Sequence, residues 1–200
     1  MAMKIIQLNK VESTNNEAKA YIKASPLDPH LKKGIVFIAN EQTKGRGTHQ
    51  KKWESKPGGL YYTLLIHLPR FHLEGLATLV KGVGQVVVTI LNTQLNINCY
   101  LEWPNDIILG HKKMGGILIE SISVSHSKVP KALMIGIGIN LNQEKFESDL
   151  AAIATSVRQI TGQIVEKSDL ITQLNKELSK WLYAEYGAQP ALTPILEKKF

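Results

Sequence analysis

The segment Leu133-Met134-Ile135-Gly136-Ile137-Gly138-Ile139-Asn140-Leu141 alternates between large apolar residues and small or polar ones. Because successive side chains of a β-strand point to opposite faces of the sheet, one face of this strand is a continuous apolar wall. The other face carries Met134, two glycines and one amide, so it is nearly bare backbone. Glycine inside a strand weakens it, which indicates that something lies close against this face. A ligand would fit there, and so would a tightly packed helix.

Other segments predict the sheet to which this strand belongs. Short apolar or alternating runs, which are typical of strands, lie at residues 4–8, 35–39, 60–68, 99–101, 107–109, 116–124 and 131–141. Gly110-His111 stands between two of these runs and is typical of a hairpin tip. The runs together predict a mixed, mostly antiparallel sheet.

Two helices are predicted in the first half of the chain. Thr14 and Glu17 have the spacing of a capping box, which predicts that a helix opens at Thr14. Residues 76–91 keep apolar side chains at helical spacing and predict a long amphipathic helix. Gly82 and Gly84 inside it would permit close packing against the sheet.

Two further helices are predicted at residues 148–161 and 168–186. Each begins with a serine, a favoured N-cap residue, and each is followed by a glycine, Gly162 or Gly187, a favoured C-cap residue. With helices packed against a mixed sheet, the chain is predicted to have an α+β fold.

Composition limits the class of protein. The 200 residues, 44% hydrophobic and 20% charged, fit a single soluble domain that spans residues 1–200. The one cysteine, Cys99, excludes an internal disulfide framework, fits a reducing cytoplasm and is expected to be a small buried residue.

No apolar run is expected to span a membrane, and residues 1–20 lack the apolar core of a signal peptide. The net charge of +7 is compatible with two kinds of binding partner: nucleic acid, or small anions and an acidic protein surface. The basic residues are scattered and show neither zinc-finger nor RNA-recognition spacing, which argues against nucleic acid.

A basic loop punctuated by glycine, EQTKGRGTHQKKW at residues 41–53, follows one predicted strand. Gly45 and Gly47 flank Arg46 and let backbone N–H groups approach an anion. Arg46 adds a forked cation that suits phosphate or carboxylate, and Trp53 adds a flat surface for stacking. Many loops of this kind are only solvated surface, so its significance depends on what accompanies it.

Three motifs follow the loop: Trp103-Pro104-Asn105-Asp106, Lys113-Met114-Gly115-Gly116-Ile117 and Gly136-Ile137-Gly138-Ile139-Asn140, with Ser13-Thr14-Asn15 upstream. In this order and spacing, the set resembles biotin protein ligases, and the likeness runs from about residue 11 to residue 186. The resemblance implies the biotin–lipoate ligase fold, which is similar to that of class II aminoacyl-tRNA synthetases. It implies that biotin and ATP, with Mg²⁺ as activator, form biotinoyl-5′-AMP. A lysine of the biotin carboxyl carrier protein of acetyl-CoA carboxylase then attacks this mixed anhydride, and AMP leaves.

The resemblance also assigns residues to roles. The catalytic groups would be Arg46, Lys113 and Asp106. Lys113 would bridge the biotin carboxylate and the α-phosphate, and Asp106 would accept a proton from the incoming lysine or hold Lys113 in place. Biotin would contact Ser13, Thr14, Asn15, Gln42, Gly45, Arg46 and Gly116. The nucleotide would contact Gly47, Trp53, Asn105, Lys113, Gly138 and Asn140. No metal site formed by protein side chains is expected.

Simpler interpretations of the same residues stay open from sequence alone. Thr14 could serve only as a helix cap, and Lys113 could be an exposed hairpin lysine. Trp53 could be a core residue, and Pro104-Asn105-Asp106 could be a plain turn.

The sequence departs from the family pattern at several positions. The family loop usually reads GRGRxGRxW, and in this chain Thr48, Gln50 and Lys51 replace its second arginine, third glycine and third arginine. Lys51 keeps the charge but loses the bidentate fork, and Thr48 loses the cation, which predicts a weaker grip on the adenylate. Glu102 replaces the lysine before the WPND motif, a charge reversal that could alter carrier choice or a local salt bridge.

Two other functions compete with this interpretation. A lipoate or octanoate transferase of related architecture would carry an RRxxGGG-type loop and a downstream histidine-aspartate pair, and the chain has neither. A biotin- or carrier-binding protein with impaired catalysis is suggested by Thr48 and Glu102. The lengths before Ser13 and after Gly187 predict neither the DNA-binding helix-turn-helix nor the β-barrel that some relatives carry, which argues against a repressor. A homodimer is compatible with the resemblance, because relatives often pair through sheet edges.

Overall fold

The computed structural model describes residues 3–123, 128–187 and 194–198. These ranges contain eight strands, five α-helices and three short 3₁₀ turns. The strands are β1 Met3–Val11, β2 Ile35–Gln42, β3 Leu60–Ile66, β4 Tyr100–Glu102, β5 Asp106–Leu109, β6 Lys112–Ile122, β7 Ala132–Ile139 and β8 Pro194–Lys198. The helices are α1 Thr14–Ala24, α2 Leu76–Leu95, α3 Ser148–Ala151, α4 Val157–Thr161 and α5 Lys167–Tyr186. The 3₁₀ turns are Pro29–Lys32, Thr48–Gln50 and Leu73–Gly75.

The strands form one sheet in the order β4-β5-β6-β7-β3-β2-β1-β8. β1 runs parallel to β2 and β8, and the other five pairs are antiparallel. The prediction of a mixed, mostly antiparallel α+β fold is therefore confirmed. β8 was not predicted; the predicted run at 116–124 ends at Ile122, and Val124 lies outside the described residues.

β7 lies in the middle of the sheet, between β6 and β3, where both its bare face and its apolar face can be covered. The alternate apolar residues of β7 belong to the main core, which lies between the sheet and helices α2 and α5; Leu141, just beyond the strand, belongs to it too. The residues of β7 in this core are Leu133, Ile135, Ile137 and Ile139. On the opposite face a second, smaller core forms where α1 packs Ala18 and Ile22 against Phe37 and Met134. A cleft opens on that same second face, beside α1.

The first helix begins as predicted, but its cap is different. Ser13 is the N-cap and its hydroxyl accepts the N–H of Asn16 at 3.1 Å. Thr14 is already the first helical residue, so the predicted capping box was wrong by one position. The hydroxyl of Thr14 bonds to other side chains instead.

The predicted helix at residues 148–161 was wrong in its middle. Two short helices, α3 and α4, occupy this range, and the residues between them are held by β6. The N–H of Lys113 donates to Ile153 O at 2.8 Å, and the N–H of Thr155 donates to Lys113 O at 3.0 Å. This backbone pairing with a distant strand replaces the helical hydrogen bonds, and a buried serine, Ser156, caps α4.

The last helix, α5, starts after Glu166, whose side chain makes no cap hydrogen bond. The expected serine cap at Ser168 was therefore wrong, since that residue lies inside the helix. The glycine C-caps are confirmed: Gly162 has φ 74° and Gly187 has φ 68°. At these angles a residue with a side chain would be strained.

Helix α2 packs its glycines against two different elements. A Cβ on Gly84 would lie 2.7 Å from Leu101 Cδ1 of β4, as predicted, whereas a Cβ on Gly82 would collide with Trp181 of α5. Packing against the sheet was therefore a wrong prediction for Gly82. Residues Leu73–Leu95 are also long and apolar enough to cross a membrane by composition, although no run of this kind was expected. Residues on one side of α2 are buried in the main core.

Candidate functional site

A cleft that is partly open to solvent lies on the second face of the sheet between α1, the loop of residues 45–53 and strands β3, β7 and β6. Eleven of the residues predicted to form the site line it: Ser13, Thr14, Asn15, Gln42, Arg46, Gly47, Trp53, Asn105, Lys113, Gly116 and Gly138. Gly45, Asp106 and Asn140 do not. Segments far apart in sequence thus meet in one pocket, and Arg46 and Lys113 both face it.

One end of the cleft is a polar corner formed by Ser13, Thr14, Asn15 and Gln42. Gln42 Oε1 accepts the backbone N–H of Thr14 at 2.8 Å and lies 3.2 Å from the hydroxyl of Thr14. Gln42 Nε2 donates to Ser55 Oγ at 2.8 Å. These bonds fix the orientation of the Gln42 amide, because its oxygen and nitrogen have different partners.

Two residues that sequence reasoning missed complete this corner. The Thr63 hydroxyl lies 2.6 Å from Asn15 Oδ1 and 2.8 Å from Thr14 Oγ1. Asn15 Nδ2 donates to Glu120 Oε2 at 2.7 Å. A signal for both existed: Thr63 is the one residue of β3 that is neither aromatic nor aliphatic, and Glu120 lies on the same face of β6 as Gly116.

The bare face of β7 is covered by two side chains of the site. A Cβ on Gly136 would lie 2.7 Å from Asn15 Oδ1, and a Cβ on Gly138 would lie 2.8 Å from Trp53 Nε1. Asn15 belongs to α1, so a helix does approach Gly136, but with an amide that lines the cleft. The glycines therefore let the amide and the indole lie directly on the strand.

The loop of residues 45–53 folds back on itself. The N–H of Gly47 donates to Lys51 O at 2.7 Å, and the N–H of Trp53 donates to Gly45 O at 2.9 Å. Gly45 is buried, and a Cβ there would collide with Ser55 Oγ and Trp53 O. Its lack of a side chain therefore serves the packing of the loop.

Arg46 extends from this loop toward α1 and β6. Its Nη2 donates to Asn16 Oδ1 at 2.8 Å and lies 3.6 Å from Glu120 Oε2. The guanidinium has five N–H donors, and the bond to Asn16 uses one of them. The arginine side chain is 37% exposed, so an anion in the cleft can reach it.

Lys113 is the second cation of the cleft. Its Nζ lies 2.6 Å from Asp106 Oδ1 and 5.5 Å from the centre of the Trp53 ring. The β5–β6 pairing shifts register between Ile107 and Ile108, and an irregularity of this kind re-aims nearby side chains. The backbone N–H and C=O of Lys113 are hydrogen-bonded to Ile153 and Thr155, so the backbone of this residue is also held in place. Lys112 instead turns outward and donates to Ala151 O at 2.7 Å.

Two predicted asparagines have different environments. Asn105 lines the cleft and donates from Nδ2 to Ile117 O at 3.1 Å. Asn140 lies outside the lining, where its Nδ2 donates to Thr155 O at 3.0 Å and its Oδ1 accepts from Gln143 Nε2 at 3.2 Å. Its amide thus joins β7 to the α3–α4 connection.

Aromatic and aliphatic residues also contribute to the lining of the cleft. Burial raises the pKa of the Tyr61 and Tyr62 phenols, so both stay neutral, and the Tyr62 hydroxyl donates to Asn175 of α5 on the other face of the sheet. The Trp53 Nε1 atom is buried and has no hydrogen-bond partner within the part of the chain that the structure describes. Across those same residues, no three His, Cys, Asp or Glu side chains lie together as metal ligands.

Comparison with known proteins agrees with this arrangement. Residues 9–140, well over half of the chain, match the family described as biotin/lipoate A/B protein ligase. The chain belongs to this family. The matched range includes the polar corner, the loop, Lys113 and the β7 glycines.

Relatives of known name cover different shares of the chain. The bifunctional ligase/repressor BirA of Bacillus spizizenii is 33% identical over 143 residues, which are 70% of this chain and 43% of that protein. The biotin–[acetyl-CoA-carboxylase] ligase of Paracoccus denitrificans is 30% identical over 183 residues, 87% of this chain and 71% of that protein. The chain therefore spans less than half the length of the first relative.

A solved structure shows the same architecture. The biotin protein ligase from Aquifex aeolicus in complex with biotin and ATP superposes with a TM-score of 0.76 at 31% identity, covering 92% of this chain and 72% of that one. The predicted biotin–lipoate ligase fold is thus confirmed.

Proposed function

We propose that this protein is an ATP-dependent biotin ligase, which forms biotinoyl-5′-AMP and transfers the biotinoyl group to a lysine of a carrier domain. The observation that carries the proposal is the position of Lys113. Its ammonium group lies in the same cleft as Arg46, beside the Trp53 indole. Two cations facing one narrow cleft suit a reaction that brings a carboxylate against a phosphate.

Biotin is assigned to the polar corner. Biotin is mostly apolar and has one compact ureido group, and the corner offers a few fixed polar atoms on an otherwise apolar floor. Leu118, which pairs with Gly136 on the cleft face of the sheet, would contact the apolar part of the ligand, while Ser13, Asn15 and Gln42 would meet the ureido ring.

The nucleotide is assigned to the other end, near Trp53 and Asn105. An indole that packs on β7 and faces the cleft can stack on an adenine ring. Lys113 would stabilise charge on the α-phosphate as the biotin carboxylate attacks it, and pyrophosphate would leave. Mg²⁺ would arrive with the ATP phosphates, where it neutralises phosphate charge.

The transfer step is assigned to the Lys113–Asp106 pair. Asp106 keeps Lys113 aimed into the cleft, and its carboxylate is 31% exposed, so an incoming amine can approach it. The acceptor is proposed to be the biotin carboxyl carrier protein of acetyl-CoA carboxylase, in the cytoplasm, on the strength of the Paracoccus relative's name. Pairing of two copies through a sheet edge stays a prediction.

The decisive experiment supplies purified protein with ATP, Mg²⁺, biotin and a carrier domain, and measures pyrophosphate release and carrier biotinylation. We expect both, and we expect Lys113→Ala to lower the rate of adenylation by roughly 100-fold or more, as loss of a charge-stabilising group does. Lys112→Ala is the matched control, because Lys112 is the adjacent lysine and points away from the cleft.

Each other outcome has a defined meaning. Transfer of lipoate or octanoate but not biotin would assign the protein to the other branch of its family. Biotin binding without pyrophosphate release would make it a binding protein with impaired catalysis. Full adenylation by the Lys113→Ala protein would show that this lysine does not stabilise the charge on the α-phosphate.

A further inference from the structure

We propose that Glu120 is a positioning residue for this site, which orients the Asn15 amide toward biotin and helps to hold the Arg46 loop over the cleft. This inference rests on the proposed function. It starts from the location of Glu120, which touches both Asn15 of the polar corner and Arg46 of the loop.

The first effect follows from the chemistry of a carboxylate. An ionised carboxylate only accepts hydrogen bonds, so the group of Asn15 that faces Glu120 must be its NH₂. Asn15 Oδ1 then faces the Thr63 hydroxyl at 2.6 Å, and Thr63 must donate to it. The single hydroxyl hydrogen of Thr63 is thereby committed to Asn15. One negative charge thus sets the direction of the two hydrogen bonds that link Glu120, Asn15 and Thr63.

The second effect concerns the loop. Arg46 Nη2 is hydrogen-bonded to Asn16 and lies 3.6 Å from Glu120, a distance of charge attraction rather than of a hydrogen bond. The side chains of the pair are 37% and 33% exposed, so solvent screens the attraction and it is worth little by itself. Because this attraction helps to keep the loop closed, its loss should appear as faster escape of the reaction intermediate.

The two effects can be separated by substitution. Glu120→Gln keeps an oxygen that can accept from Asn15 but removes the charge that attracts Arg46. Glu120→Ala removes both. A purely structural role would make the two variants fail together, in proportion to their loss of stability.

The experiment compares these variants with Glu144→Gln as a matched control. Glu144 also pairs with an arginine, Arg158, at 2.8 Å, and neither residue lines the cleft; Arg158 is 35% exposed, close to Arg46, whereas Glu144 is 63% exposed. Biotin affinity is measured by calorimetry, and release of biotinoyl-AMP from the enzyme is measured by trapping the free intermediate.

We expect Glu120→Ala to weaken biotin binding about 10-fold, as loss of a charged hydrogen-bond partner does. Glu120→Gln should stay within roughly threefold of the wild-type affinity, since it can still accept from Asn15. Both variants should release biotinoyl-AMP about 2- to 5-fold faster, the range set by a partly exposed ion pair. The Glu144→Gln protein should match the wild type in both measurements.

The proposal is overturned if Glu120→Ala binds biotin as well as the wild type, or if Glu120→Gln and Glu120→Ala are equally impaired in biotin binding. A ligand-free readout separates this failure from failure of the proposed function. The side-chain NH₂ signal of Asn15 in a nitrogen-15 NMR spectrum should shift in Glu120→Ala and stay near its wild-type position in Glu144→Gln. If the wild-type protein bound no biotin, this signal would still decide whether Glu120 orients the amide.

Discussion

Replacing Gly138 by alanine tests whether the nucleotide needs the Trp53 indole where the structure places it. The new Cβ would lie 2.8 Å from Trp53 Nε1 and 3.0 Å from Cε2. Since optimal contacts lie near 3.5–4 Å, the ring would have to retreat by roughly 0.5–1 Å. Gly138 does not have a positive φ, so alanine can adopt its backbone conformation and the effect comes from this contact.

The expected cost to the fold is small. Overpacking costs about 1–3 kcal/mol, and the lower entropy of an alanine in the unfolded chain offsets about 0.4–1 kcal/mol of that. Trp53 is also only partly buried, on a loop that can shift. We therefore expect the free energy of unfolding to fall by no more than about 2 kcal/mol, which for a chain of this length lowers Tm by about 8 °C at most.

The expected cost to the reaction is larger. A displacement of about 1 Å in a positioning group can cost up to 100-fold in rate, so kcat/KM for ATP should fall about 10- to 100-fold. The assay is pyrophosphate release at saturating biotin with ATP varied, together with biotin affinity by calorimetry and a thermal melt. Biotin affinity should change by less than about threefold, because Gly138 lies at the end of the cleft assigned to the nucleotide.

Gly75→Ala is the control for the glycine-to-alanine change. The nearest atom to a Cβ added at Gly75 would be Phe71 Cε2 at 3.7 Å, which is an ordinary contact. Gly75 does not line the cleft. We expect wild-type kinetics from it. A Gly138→Ala protein with unchanged kcat/KM for ATP would refute the assignment of the nucleotide to the Trp53 end.

Two further predictions concern residues that the sequence singled out. Thr48→Arg should slow the release of biotinoyl-AMP about 2- to 10-fold, because Thr48 lines the cleft where an added cation can meet the phosphate. Release at the wild-type rate would show that having threonine rather than arginine at this position does not affect retention of the intermediate. Cys99 should not react with a disulfide reagent at pH 8 in the native protein and should react fully in denaturant, since it is 2% exposed and burial raises its pKa to about 11. Reaction of the native thiol within minutes would contradict the buried position.

The strand β7 and the motifs of the site could be predicted from sequence because each depends on local pattern. Alternation of apolar residues with glycine predicted one core face and one bare face, and the structure places them so. Gly162 and Gly187 marked helix ends because a positive φ favours glycine in any fold. Cys99 is buried, as a lone apolar cysteine in a predicted strand suggested.

The error in the predicted helix at residues 148–161 has a physical cause. The pattern at residues 148–161 suits a helix, yet its middle pairs with Lys113 of β6, which is distant in sequence. Local propensity is a weak prior, and tertiary contacts override it.

The sequence by itself determined the fold class, the family and most of the residues that line the cleft, because apolar alternation and motif spacing are carried by the chain alone. Only the tertiary structure decided how those residues face one another: that Glu120 reaches Asn15, that Trp53 rests on Gly138, and that the Asn140 amide binds Thr155 rather than lining the cleft. Contacts between distant segments depend on strand order and register, and no local pattern specifies these.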